Sequence, residues 1–268
     1  MGLGDTKVIS VLNAKGGVGK STCCVNLAAG LVKRGKKILL IDCDTQSNLT
    51  TFLTDEDIED RHVGSMMMGE YSFDDICLSN VKKNIDLLPA NVGMMDLELK
   101  LYQKISRETI LDNSLRNAHI DNVYDYIIID NPPSFSFTVI NSLFASDYFM
   151  VPCSATYISL RGIRLLYRLI EKIKGELNHD IKNIGYLLTM FDKRKTISAD
   201  VENILRTKFG KKVFKNKIRI NSKLESSQTL KKTIFEIKDQ KGMKDYYSVS
   251  KEFISRLEDN HKHLKKVS

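Results

Sequence analysis

Val8-Ile9-Ser10-Val11-Leu12-Asn13-Ala14-Lys15-Gly16-Gly17-Val18-Gly19-Lys20-Ser21-Thr22 opens on an apolar run and closes on a glycine turn. A run as continuously hydrophobic as VISVL marks a strand buried on both faces of a parallel sheet. Glycines in the turn let the backbone N–H groups of Gly17, Gly19 and Lys20 point inward without obstruction by side chains. A helix beginning near Lys20 adds its partial positive charge, so the segment Lys15, Gly16, Gly17, Val18, Gly19 is predicted to cradle phosphate. Lys20 is then placed to reach the β- and γ-phosphates of ATP, Ser21 to ligate Mg²⁺, and Thr22 to sit near the α-phosphate. The pattern departs from plain GxxxxGK[ST]: Ala14 takes the first glycine position and Lys15 adds a second lysine. The alternative, a chance glycine turn before a core helix, is a poor match to so restrictive a pattern.

Working outward, further apolar runs at 37–42, 85–88, 126–130, 148–152 and 184–190 follow the first one at 7–13. Helix-period segments at 20–34, 106–118, 134–145, 161–177 and 198–209 lie between them. Strands alternating with helices predict a doubly wound α/β fold: a mostly parallel sheet, helices on both faces, right-handed crossovers. Ligands in such folds sit beyond the carboxyl ends of the strands. Two aspartate-bearing segments end there. In Asp42-Cys43-Asp44-Thr45-Gln46-Ser47-Asn48, alternation puts Asp42 and Asp44 on one side. In Tyr126–Asp130 followed by Asn131-Pro132-Pro133-Ser134, Asp130 is predicted to hold a water of the Mg²⁺ shell. Alone, each aspartate reads equally well as a helix cap or turn residue.

The chain has 268 residues, 42% hydrophobic and 28% charged, with no internal repeat or linker, and is read as one domain over 1–268. No apolar run reaches the length that spans a bilayer. Five cysteines, Cys23, Cys24, Cys43, Cys77 and Cys153, form no CxxC pair, which fits reduced thiols and a cytoplasmic protein. The net charge of +8 is uneven. Residues 1–170 hold 17 Lys/Arg against 20 Asp/Glu, whereas 171–268 hold 24 against 13. That basic portion predicts an acidic partner, nucleic acid before anionic membrane; the bland reading is a solvated lysine surface. A final helix over 246–266 places Val249, Phe253, Leu257 and Leu264 near one face and is expected to pack on the body. The pair His261 and His263 is expected to be exposed.

These motifs together resemble the ParA/Soj family of partition ATPases, within the wider deviant Walker A class of P-loop ATPases that includes MinD. The resemblance covers nearly the whole chain. It includes KGGVGKST at 15–22, D-x-D-x-Q-x-N at 42–48, LLPA at 87–90, ISRE at 105–108, YDYIIIDNPPS at 124–134 and LLTMFDKR at 187–194. The resemblance implies that Lys15 reaches the partner's nucleotide across an ATP-sandwiched homodimer and that Asp44 positions the attacking water. It makes Asp42 and Asp130 metal-supporting, and Met190 and Asn221 adenine contacts. It also implies a non-specific DNA surface carrying Arg194, Lys195 and Lys223, which Lys193, Lys215, Lys217 and Arg219 could enlarge, within a basic portion of about 190–268. The implied partners are DNA, a ParB-like centromere-binding protein and a second copy; the implied location is the nucleoid.

Departures are Thr45 for a usual proline, Ser47 for glycine, Asn131 for Thr or Cys, and Arg219-Ile220 where Pro-Arg is common. With the glycine loop starting at Ala14, no amino-terminal helix-turn-helix is expected. A MinD-like membrane-positioning ATPase is the competing class. A metallocluster ATPase would need axis-bridging cysteines in glycine-flanked loops, and a tyrosine autokinase would need more than the Tyr246-Tyr247 pair.

Overall fold

The computed structural model describes residues 3–176 and 179–264. In chain order, β1 (Lys7–Val11) leads through α1 (Lys20–Val32) to β2 (Ile38–Asp42). Short helices α2 (Asn48–Leu53), α3 (Val63–Met68) and α4 (Phe73–Ile76) precede the β3 (Leu78–Lys82) and β4 (Ile85–Leu88) hairpin. Then come α5 (Leu97–Tyr102), α6 (Ile110–Asn117), β5 (Tyr126–Asp130), α7 (Phe137–Phe144), β6 (Tyr148–Ser154) and α8 (Tyr157–Glu176). The chain closes with β7 (Lys182–Thr189), α9 (Thr196–Phe209), α10 (Ser222–Thr229), α11 (Ile234–Ile237) and α12 (Gln240–Leu264).

The seven strands form one sheet in the order β3-β4-β2-β5-β1-β6-β7. Every neighbouring pair is parallel except β3 with β4. The expected doubly wound architecture is therefore present, with one antiparallel edge strand that the sequence did not announce. β3 reads LSNVK and is largely uncovered, so it lacks the hydrophobic run that marks the buried strands.

Strand parity divides the core. Ile9, Val11, Ile38, Leu40, Tyr126 and Ile128 face α1 and α12, while Val8, Leu39, Ile41, Ile127 and Ile129 face the layer of α3, α6 and their neighbours. α1 is buried along most of its length, and its small residues let α12 approach closely. A Cβ on Gly30 would lie 3.1 Å from the Tyr246 carbonyl and from the Ser250 hydroxyl. α12 buries Tyr246, Val249, Phe253 and Leu257 in this contact, so its apolar face is spent on the body. Leu264, His261 and His263 as side chains, with residues 265–268, lie outside the described residues. None of the described helices is long and apolar enough to cross a membrane. Met66 and Met67 are buried as core, and four of the five cysteines are buried and free.

Candidate nucleotide site

The turn from β1 to α1 is built as a cradle. Gly17 has φ +70° and Gly19 φ +82°, the left-handed region in which a side chain is strained. Gly19 occupies the cap position of α1 with no side-chain cap, and the first turn of α1 holds no acidic residue. The positive helix end is thus left for an external anion. The space is open: a Cβ on Gly16 or Gly17 would meet nothing within 4 Å.

Three neighbours fix the loop. The Thr189 hydroxyl at the end of β7 donates to the Val18 carbonyl at 2.9 Å. Asn13 donates to the Pro152 carbonyl at 2.7 Å and accepts from the Lys15 amide at 3.0 Å. The Lys15 ammonium donates to the Thr156 hydroxyl of its own chain at 3.3 Å. Thr156, Thr189 and Asn13 were not singled out from the sequence; hydroxyls and amides at strand ends are too common to stand out without the fold.

Lys20 is buried, 8% exposed, and its charge acts on Asp130. Ser21 and Thr22 stay partly open at the helix start. Asp42 and Asp130 end adjacent strands in register. Asp42 is satisfied locally: Oδ1 accepts from the Asp44 amide, and Oδ2 accepts from the Thr50 amide and hydroxyl at 2.9 and 2.8 Å. Among the described residues neither buried oxygen of Asp130 has a hydrogen-bond partner. Burial raises both carboxyls above the usual range, with repulsion from Asp44 adding to it for Asp42 and repulsion from Asp42 for Asp130; the Ser21 hydroxyl and Lys20 only partly offset this for Asp130. Asp44, 7% exposed, accepts from the Gln46 amide with one oxygen.

This donor set fits a hydrated divalent cation. Buried carboxylate oxygens without partners are costly unless a cation or its water shell meets them. Among the described residues no three Cys, His, Asp or Glu side chains cluster as metal ligands. A metal here would take its remaining oxygens from Ser21, water and phosphate, the usual habit of Mg²⁺.

The departures noted in the sequence are accommodated. Ser47 has φ +47°, so a serine takes the left-handed position usually given to glycine. Asn131 bridges strand ends, donating to the Val11 and Ile129 carbonyls and accepting from Ser142.

The remaining predicted residues are placed unevenly. Met190, 46% exposed with φ +51°, arches over the cradle, its Cε 4.0 Å from where a Gly19 Cβ would lie. The backbone of Phe191 pairs with Ile218 and Ile220, bringing 190–192 beside 219–221. Asn221 caps α10 through the Lys223 amide and donates to Asp239 at 2.7 Å. Both ends of its side chain are therefore occupied within the chain. Arg194, Lys195 and Lys223 are exposed, Arg194 forming a bidentate pair with Asp192. Two of the cations expected to enlarge that surface are paired within the chain. Arg219 is tied to Asp245 by 2.7 and 3.0 Å bonds, and Lys217 to Glu202, both partly buried. These two cations brace the fold; Lys193 and Lys215 are exposed.

A 470 Å³ cleft lined by Phe191, Lys193, Arg194, Ile220, Asn221 and Lys241, among others, adjoins this region. A larger hollow of 690 Å³ around His62, Asp96 and Lys100 shares no residue with the glycine turn.

Sheet, cradle and paired carboxylates define a P-loop nucleotide-binding protein of the two-lysine type. Residues 6–183 match the AAA domain family. The chain is 32% identical over 262 residues to the chromosome partitioning protein ParA of Caulobacter vibrioides, covering 97% of this chain and 98% of that one. It is 36% identical over 230 residues to the sporulation initiation inhibitor protein Soj of Bacillus subtilis, covering 85% and 90%. A plasmid partition protein from Borrelia burgdorferi, solved bound to AMPPNP, superposes with TM-score 0.80 at 25% identity, covering 94% of this chain and 99% of that one. The chain belongs to the ParA/Soj family of partition ATPases.

Proposed function

We propose that this chain is a Mg²⁺- and ATP-dependent DNA segregation ATPase. Its ATP-bound form is a face-to-face dimer that binds DNA without reading bases, and hydrolysis releases it. The observation that carries the reading is Asp130, a buried carboxylate whose two oxygens have no hydrogen-bond partner among the described residues, beside an open glycine cradle. Bound between Ser21 and the phosphates, Mg²⁺ would supply the missing counter-charge and offset the charge that develops on the phosphates. Lys20 holds the β/γ-phosphates, and Asp44, with one oxygen committed to Gln46, orients the attacking water.

Among the described residues Lys15 is held on its own chain by one hydroxyl contact, a weak tie to give up for a partner's nucleotide. Arg194, Lys195 and Lys223 contact DNA phosphates, joined in the dimer into one footprint. Intrinsic turnover is slow and a ParB-like partner stimulates it, as in switch NTPases that await a second protein. The protein would then act on the nucleoid.

The membrane-positioning alternative is not favoured, because α12 buries its apolar face against α1. DNA binding compared with ATP, ADP and no nucleotide, using Asp44→Ala to hold the ATP state, tests the proposal. Binding that ignores the nucleotide removes it.

A further inference from the structure

We propose that Gln228 is a positioning residue that transmits occupancy of the phosphate cradle to α10, the helix that presents Lys223. The proposal rests on reading the cradle as a nucleotide site. The Gln228 Nε2 donates to the Thr22 hydroxyl at 2.6 Å, joining residues 206 positions apart. A hydroxyl has one proton and two lone pairs. Because Gln228 uses an acceptor position, the Thr22 proton stays free for an oxygen in the cradle. When such an oxygen is present, the two bonds run in one direction through the hydroxyl, and each polarises the other.

The far end of this link is a rigid lever. α10 is held at its start by Asn221, whose amide donates to Asp239 at 2.7 Å, and it buries only Leu224 and Ser227. Its last turn meets α1 through Gln228. One turn further along α1, Asn26 donates to the Thr22 carbonyl at 2.9 Å and accepts from the Ile234 amide at 2.8 Å. Residues 222–237 are therefore clamped at two points to the first turns of α1, and only the Gln228 point touches a cradle side chain. Gln228 is itself exposed, so fold stability does not require it.

The test is hydrogen exchange of α10 amides with and without Mg²⁺·AMPPNP, in the wild type and in Gln228→Met, which keeps length and loses the donor. Wild-type exchange in α10 slows by up to about twofold on adding AMPPNP, because the Gln228–Thr22 bond is already made and the ligand only strengthens it. In Q228M that slowing disappears while AMPPNP still binds, and the gain in DNA affinity caused by AMPPNP shrinks with it. A Q228M protein that keeps the slowing overturns the proposal, as does a wild type that binds AMPPNP with no change in α10. A wild type that fails to bind AMPPNP at all overturns the nucleotide reading itself, and this proposal with it.

Discussion

Asp42 and Asp130 are register partners at the carboxyl ends of β2 and β5, and both side chains are buried. They differ in what surrounds them. Asp42 is met by Thr50 and the Asp44 amide, whereas Asp130 has only the nearby Ser21 hydroxyl and the Lys20 charge, and among the described residues neither of its oxygens closes a hydrogen bond. The pair stores electrostatic strain that a cation bound at this point would release.

That strain predicts a pH dependence. Burial raises the folded-state value of Asp130 above its ordinary 3.8. The stability tied to its protonated form is therefore complete below 3.8 and is lost as pH rises through the raised value. Calorimetry of the nucleotide-free protein from about pH 5 to about pH 8 should show a falling Tm, the unfolding free energy dropping by up to about 1.4 kcal/mol per pH unit. Asp130→Asn should flatten that slope, and a slope unchanged in D130N contradicts the assignment.

Lys20→Ala removes the buried cation at the cradle. Mg²⁺·ATP affinity measured by titration calorimetry should fall by about tenfold or more, the scale of a charge-assisted contact. Far-UV circular dichroism should be unchanged. Wild-type affinity in K20A would remove Lys20 from the site.

Lys15→Ala separates binding from assembly. Among the described residues its side chain is bound only through Thr156, so nucleotide binding by one protomer should persist. ATP-dependent dimerisation and turnover should both be lost. A K15A protein that dimerises with ATP contradicts the role given to the second lysine.

The basic surface should reveal itself by its salt dependence. About four phosphate contacts per protomer give a dimer slope of log K against log salt near −7. Lys223→Glu should make that slope shallower by about 2, one contact from each protomer. Arg219→Ala should instead lower stability by about 1–3 kcal/mol, because it leaves Asp245 without its partner. If R219A weakens DNA binding without changing Tm, Arg219 belongs to the surface after all.

The buried strands could be read from sequence because a strand covered on both faces must be hydrophobic throughout, as in Ile38–Asp42 and Tyr126–Asp130. The cradle could be read because left-handed backbone at 17 and 19 demands glycine. Edge strand β3 could not, since a half-exposed strand carries little pattern. Nor could the fate of Arg219 and Lys217: charge counting treats every cation as free, and only the fold brings Asp245 and Glu202 beside them. The Thr22–Gln228 contact escaped for the same reason. Nothing local in either residue marks a bond across 206 positions.

The β1–α1 turn is proposed to wrap a triphosphate that joins two protomers. Sedimentation velocity of Asp44→Ala with saturating Mg²⁺·ATP, set against Mg²⁺·ADP, tests it most directly. A dimer with ATP and a monomer with ADP is the expected result. A monomer in both contradicts it.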